Sequence, residues 1–200
     1  YFLMKLENSF YRNTDVVHVS KKLIGKVLVT NLSNHLTSGI IVETEAYAGI
    51  FDKASHAFNN KRTKRTEIMY KNGGIAYVYL CYGIHNLFNV ITNVKDVPHA
   101  VLIRAIEPLE GIKEMYRRRK ISKKYRLTNG PGKLTQALGI DKNCNGKSLQ
   151  SDTIWIQDSG IKFLEKDILS STRIGVDYAG KDAKLLYRFH IKDNKWVSQN

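Results

Sequence analysis

The residues best equipped for chemistry are two carboxylates, Glu43 and Glu45, in the run Ile40-Ile41-Val42-Glu43-Thr44-Glu45-Ala46-Tyr47. Alternate side chains of an extended strand share a face, so Ile41, Glu43, Glu45 and Tyr47 fall on one side and Ile40, Val42, Thr44 and Ala46 on the other. Carboxyl groups held that close perturb each other's ionisation, which is one way to prepare a general acid or base. Tyr47 shares their face, His56 follows in a loop, and the aromatic run Tyr77-Val78-Tyr79-Leu80-Cys81-Tyr82-Gly83 comes next. Two solvated glutamates on a polar strand face have the same spacing, and the spacing does not separate the two readings.

The elements that must position these groups follow from the pattern around them. From Asn13 to Gly25, polar capping residues precede Val16, Val19 and Leu23 at helical spacing, and Gly25 supplies a stop. Val27 to Thr30 and Ile40 to Tyr47 predict two strands of a hairpin around a polar loop, Asn31 to Gly39. Ile75 to Cys81 and Ile84 to Ile91 predict a second hairpin with Tyr82-Gly83 at its tip. Val101 to Ile106 reads as a strand, and Pro108 suits the first turn of a helix running to about Arg119. Asn129-Gly130-Pro131-Gly132 introduces a short helix that ends near Gly139. Thr153 to Ile156 and Leu186 to Ile191 are further strand candidates. Strands with intervening helices but no regular βαβ alternation predict an α+β fold: one compact domain over residues 1–200, with a curved, mostly antiparallel β-sheet, surrounding helices and a protruding hairpin carrying Tyr82. Tyr1-Phe2-Leu3, ahead of Met4, reads as a remnant foreign to that domain.

Composition narrows the function classes. At 200 residues and 42% apolar the chain suits a single folded core, and no apolar run reaches the ~18 residues of a membrane span. Nothing at the start has the form of a signal peptide. Thirty-two Lys and Arg against 18 Asp and Glu leave +14, whose simplest use is attraction to a polyanion such as nucleic acid. An anionic membrane is the rival partner, but the basic residues fall in two clusters, Lys61 to Lys71 and Lys113 to Arg126, rather than on one amphipathic helix. A merely solvated basic surface also fits the charge. Cys81 and Cys144 are too few for a disulfide framework and point to a reducing compartment. The six histidines show no HExxH and no HxE followed by CxxC, which disfavours zinc hydrolases and deaminases.

The ordered blocks Val42 to Tyr47, His56, Tyr77 to Gly83, Asn89, Arg104 to Gly111, Gly130 to Leu134, Arg173 to Val176 and Trp196 to Ser198 closely resemble the alkyladenine (3-methyladenine) DNA glycosylase family. The likeness runs from about Leu23 onward. It implies base excision repair without a cofactor or metal, by a monomer acting on double-stranded DNA that contains damaged purines, in the cytoplasm at the nucleoid of a bacterium or the nucleus of a eukaryote. By resemblance Glu45 is the base that activates water, and Arg104 with a backbone carbonyl near Val176 holds that water. Tyr47, His56 and Tyr79 wall the base pocket, and Asn89 crowds the 2-amino group of normal guanine. Tyr82 is the wedge that fills the hole left by a flipped nucleotide, and Met69 is expected against the complementary strand. With no lysine at a nucleophile position, the resemblance implies hydrolysis without strand cleavage.

Gly130-Pro131-Gly132-Lys133 fails the phosphate-loop pattern, because Leu127 stands where its first glycine belongs and Leu134 follows the lysine. A helix N-terminus whose N–H groups, with Gly132 and Lys133, hold a DNA phosphate is the better reading, joined by Arg62, Thr63 and Arg65. Three features depart from the family pattern or are not diagnostic: Asp177 where a small residue is expected beside the water site, a long segment from Asn93 to His99, and the basic stretch Arg117 to Arg126. A DNA-binding protein without catalysis on the same scaffold also accounts for the charge and the hairpin. A small-molecule hydrolase using the paired glutamates leaves both unexplained.

Overall fold

A computed structural model describes residues 4–198, so the expectation for Tyr1-Phe2-Leu3 lies outside the described residues. The chain opens with a two-residue strand, β1 (Met4–Lys5), and a single turn of helix, α1 (Asn8–Tyr11). The first substantial helix, α2, spans Val16–Leu23 and is capped by Asp15, whose carboxylate accepts the Val17 and His18 N–H groups at 2.9 Å. Its buried residues Val16, Val19 and Leu23 are the apolar stripe read from the sequence.

Strands β2 (Val27–Leu32) and β3 (His35–Tyr47) form the first hairpin. Its connection is only Ser33-Asn34, both left-handed, and the polar residues expected as a nine-residue loop are paired strand instead. Two successive left-handed residues turn with the twist of the strands, so the ladder runs to the tip. Strands β4 (Ile75–Cys81) and β5 (His85–Thr92) make the second hairpin, followed by β6 (His99–Glu110). The helix expected from Pro108 begins later: α3 spans Ile112–Arg119, and Pro108 sits in β6 opposite Gly39 beside a register shift. Strand β5 pairs with β6 only over His99–Leu102, so the far end of β6 is an edge on that side, where proline's missing N–H removes no ladder bond. Gly111 supplies the left-handed break before α3, and a Cβ there would stand 2.3 Å from the Leu36 carbonyl oxygen.

Helix α4 (Pro131–Leu138) starts on its proline and ends at left-handed Gly139, as the sequence predicts. The remaining strands are β7 (Ile154–Asp158), β8 (Ile168–Ser171) and β9 (Arg188–Ile191), of which β8 was not anticipated. All strand pairs are antiparallel, in the order β1-β7-β2-β3-β6-β5-β4, with β9 adding to β3 and β8 to β9. The result is a curled α+β domain with β3 near its centre. Thr44 turns to α2, donating to the Ser20 carbonyl at 2.9 Å, while Glu43 and Glu45 turn the other way. Leu23, Leu28, Ile41, Phe88, Ile103, Ile106 and Met115 fill the main core. Among the described residues no helix is long and apolar enough to cross a membrane.

Candidate active site

Glu45 is 0% exposed near the C-terminal end of β3, and donors converge on both its oxygens. The Ile174 N–H donates to Oε1 at 2.8 Å, and the Tyr47 hydroxyl and Arg104 Nη1 donate to Oε2 at 2.8 and 3.3 Å. Burial works against the charge of Arg104, but the carboxylates of Glu45 and Glu43 outweigh it and hold the guanidinium above its ordinary range. Burial and then the Glu45 charge push the Tyr47 phenol well above its ordinary value, so it stays a donor.

Glu43 is the centre of a second buried network. Its Oε1 accepts from Arg104 Nε at 3.2 Å, Arg188 Nε at 2.7 Å and the Ser198 hydroxyl at 2.8 Å, and its Oε2 accepts the Ser198 N–H at 2.7 Å. The paired glutamates thus divide the work: Glu43 anchors Arg104, and Arg104 reaches Glu45. Breaking a buried ion pair leaves uncompensated charge, at a cost of several kcal/mol. We expect Glu43→Gln to lower stability by about 3 kcal/mol and the melting temperature by roughly 6–12 °C for a domain of this size. A thermal unfolding midpoint unchanged from wild type would refute the anchoring role.

A cavity of about 840 Å³ opens in front of these groups, lined in part by Tyr47, His56, Tyr79, Asn89, Arg104 and Val176. The Glu45 carboxylate lies directly behind this surface, bonded to three of the residues that line it, Tyr47, Arg104 and Ile174. One wall is aromatic, with His56 and Tyr79 edge to face at 4.7 Å and Tyr77 tilted against Tyr79 at 5.4 Å. Arg65 Nη2 can only donate, so His56 Nε2 accepts from it at 3.3 Å and Nδ1 carries the proton toward the Tyr77 oxygen at 2.9 Å. Burial, then the charges of Arg65 and Lys61, bring the His56 pKa down to about 4, so the ring is neutral at neutral pH. Asn89 is buried, and its Nδ2 donates to the Tyr77 carbonyl at 3.2 Å, fixing the amide at the cavity wall. Behind Tyr47, Arg173 pairs with buried Asp52 (Nη2 to Oδ1, 2.9 Å), donates to the Ala46 carbonyl and stands 4.9 Å from the Tyr47 ring centroid. Asp52 in turn accepts the Ala48 and Ala54 N–H groups, which ties down the loop after β3.

The sequence matches the family model described as methylpurine-DNA glycosylase over residues 9–195. The chain belongs to the methylpurine-DNA glycosylase family. Three similar relatives each carry the name "Putative 3-methyladenine DNA glycosylase". That of Clostridium perfringens is 47% identical over 98% of this chain and its own full length. That of Natranaerobius thermophilus is 48% identical, again over 98% of the chain and all of the relative. That of Chlamydia abortus is 50% identical over 94% of the chain and all of the relative.

In this DNA-repair glycosylase the hairpin of β4 and β5 projects its tip into solvent, with Tyr82 90% and Ile84 72% exposed. Met69 is placed differently from expectation. It is 2% exposed, packs with Ala57, Tyr70, Tyr77, Ile91 and Ala100, and lines the cavity, whereas Ile84 beside Tyr82 is exposed. Val176 is buried, and its carbonyl accepts the Ala179 N–H at 2.8 Å. Asp177 is exposed and absent from the cavity wall, so it forms no pocket floor.

Apart from Arg65, which lines the cavity, the expected phosphate ligands fall into three situations. Gly132 and Lys133 line the cavity mouth at the start of α4, where a Cβ on Gly132 would meet His85 at 2.9 Å, and Lys133 Nζ donates to Asn129 Oδ1 at 2.9 Å. Thr63 is exposed and its N–H donates to Thr66 Oγ1. Arg62 is committed within the protein, to Glu67 at 2.7 Å and to Asp96 at 3.0 Å. The long Asn93–His99 segment supplies that aspartate, and its Asn93 is pinned to Tyr11, Thr14 and His99. Tyr77, Ile84 and Arg173 were given no individual role from the sequence, and Glu43 only that of perturbing Glu45. Tyr77 shares the face of Tyr79 two positions on, a signal available from spacing alone.

Proposed function

We propose that this chain is a monofunctional glycosylase of base excision repair that flips alkylated or deaminated purines from double-stranded DNA and hydrolyses their N-glycosidic bond. The lesions in view are 3-methyladenine, 7-methylguanine, hypoxanthine and 1,N6-ethenoadenine. The observation that carries the reading is a buried carboxylate bonded to three residues, Tyr47, Arg104 and Ile174, that line a cavity of about 840 Å³, walled on one side by aromatic rings and roomy enough for a purine nucleotide.

The chemistry follows from that placement. As the base departs with the electron pair of the glycosidic bond, positive charge develops on the sugar, and a fixed carboxylate nearby stabilises it. Water adding to the anomeric carbon gives its proton to Glu45 and leaves an abasic site. Arg104, held by Glu43, and the Val176 carbonyl orient that water. Tyr47 on one side and His56 on the other offer π-faces to an electron-poor purine, beside Tyr79, whose ring also carries the Arg65 guanidinium. Tyr82 and Ile84 enter the stack at the vacated position, while the N-terminus of α4 and Lys133 face the phosphates. The bacterial relatives suit work at the nucleoid.

Incubating the protein with a duplex bearing hypoxanthine or ethenoadenine tests this directly. Strand breaks should develop only after alkali treatment. Tight binding with no alkali-labile site for any damaged purine would favour a non-catalytic binder, and breaks without alkali would contradict the monofunctional reading. Asn89 gives a second test. Its fixed amide crowds a 2-amino group, so Asn89→Ser should raise excision of 7-methylguanine relative to hypoxanthine by roughly tenfold or more. An unchanged ratio would remove the crowding argument.

A further inference from the structure

Arg65 was expected at a DNA phosphate, yet its guanidinium stands at the pocket. Its carbon lies 4.9 Å from the Tyr79 ring centroid, Nη2 donates to His56 Nε2, and the side chain lines the cavity. Unlike Arg62, it has no carboxylate within ion-pair distance among the described residues. We propose that Arg65 is a specificity-determining residue that makes the base pocket bind uncharged purine lesions in preference to cationic ones.

The proposal rests on the glycosylase reading above and deepens it. A cage of tyrosines and a neutral histidine attracts any cation through its π-faces, a cationic base included. Here Arg65 already occupies the face of Tyr79, and a second positive charge a few ångströms away is repelled. Burial is the main reason His56 stays neutral, but Arg65 and Lys61 also disfavour its protonated form, and the same charges act on an incoming cationic ring. A neutral oxopurine meets no such repulsion, and its O6 and N7 acceptors match the guanidinium's donors.

The charge balance of the reaction says where the effect must show. A 3-methyladenine nucleoside carries a fixed positive charge, and the base leaves as a neutral molecule once it takes the bonding electron pair. Repulsion is therefore felt on binding and relieved as the bond breaks. Arg65 should penalise capture of the cationic lesion without slowing its maximal rate.

The test compares release of 3-methyladenine from methylated duplex DNA with release of hypoxanthine, in single turnover at limiting and at saturating enzyme. Neither base has a 2-amino group, so crowding by Asn89 bears on both alike, and a folding defect cancels in the ratio. At limiting enzyme, Arg65→Gln should raise the 3-methyladenine to hypoxanthine ratio about tenfold, the order expected for one like charge at short range. At saturating enzyme the ratio should stay level or fall. Arg65→Lys, which keeps the charge, should remain near wild type. An unchanged ratio in Arg65→Gln, or an equal rise in Arg65→Lys, would overturn the proposal. Equal losses on both lesions with a shallower salt dependence would return Arg65 to a phosphate and also overturn it. Failure of the wild type to release either base would instead sink the glycosylase reading, and this one with it.

Discussion

Glu45→Gln should bind a damaged duplex within a few-fold of wild type and excise the base about 10²- to 10⁴-fold more slowly in single turnover, the range associated with a general base. The geometry says why the protein survives the change. Glutamine presents one acceptor and one donor where the carboxylate presents two acceptors. With its NH₂ toward Ile174, a donor would face the N–H now 2.8 Å from Oε1. With its NH₂ toward Tyr47, the hydroxyl can rotate to accept, and only the 3.3 Å contact from Arg104 Nη1 is lost. Arg104 keeps its Nε bond to Glu43. The second orientation is preferred, and the cost is that of one imperfect buried hydrogen bond, about 1–3 kcal/mol. What goes is the capacity to take a proton and to balance charge on the sugar. Gel-shift binding beside burst-phase excision separates the two. Excision near the wild-type rate would dismiss Glu45 as the base, and binding lost in parallel with unfolding would assign it a structural role.

The features legible in the sequence were those fixed by local stereochemistry. The face shared by Glu43, Glu45 and Tyr47 needs only the alternation of a strand, and register shifts on either side of Glu43 leave it intact. The start of α4 on Pro131 and its end at Gly139 rest on one proline and one left-handed residue. Where context decided, local reading failed. Pro108 looks like a helix start until the sheet shows that its part of β6 is an edge. The division of labour between Glu43 and Glu45 is invisible from spacing, because the partners of Glu43 lie 61, 145 and 155 residues away. Arg62 and Arg65, three residues apart in one basic cluster, have opposite fates: Asp96 arrives beside the first from a distant turn, and among the described residues no carboxylate stands within ion-pair distance of the second. Charge runs state how much charge there is, and only the fold decides which members are neutralised.

Tyr82→Ser should reduce excision at limiting enzyme by roughly 10- to 100-fold, the equivalent of the 1–3 kcal/mol that stacking of an aromatic ring on a base contributes. Affinity for undamaged duplex, which comes from phosphate contacts, should barely change. The tip is built for insertion. Tyr82 and Gly83 are both left-handed, the Cys81 carbonyl accepts the Ile84 N–H at 3.2 Å, and paired strands on either side hold the turn away from the body. A non-glycine residue in that conformation is uncommon and is unfavourable relative to glycine, so an exposed tyrosine there costs stability with no packing to offset it. Filling the space left by a flipped nucleotide supplies the missing return. Serine keeps the turn's polarity and removes the ring, so the flipped state loses its filler while the phosphate contacts stay. Ile84 beside it should make Tyr82→Ser leaky rather than null, and the double variant Tyr82→Ser/Ile84→Ser should fall further. Stopped-flow fluorescence of ethenoadenine, which is quenched in the stack and changes on extrusion, reads the flipping step itself. Unchanged flipping amplitude and rate in the double variant would contradict the wedge role and leave the strain at the tip without a function.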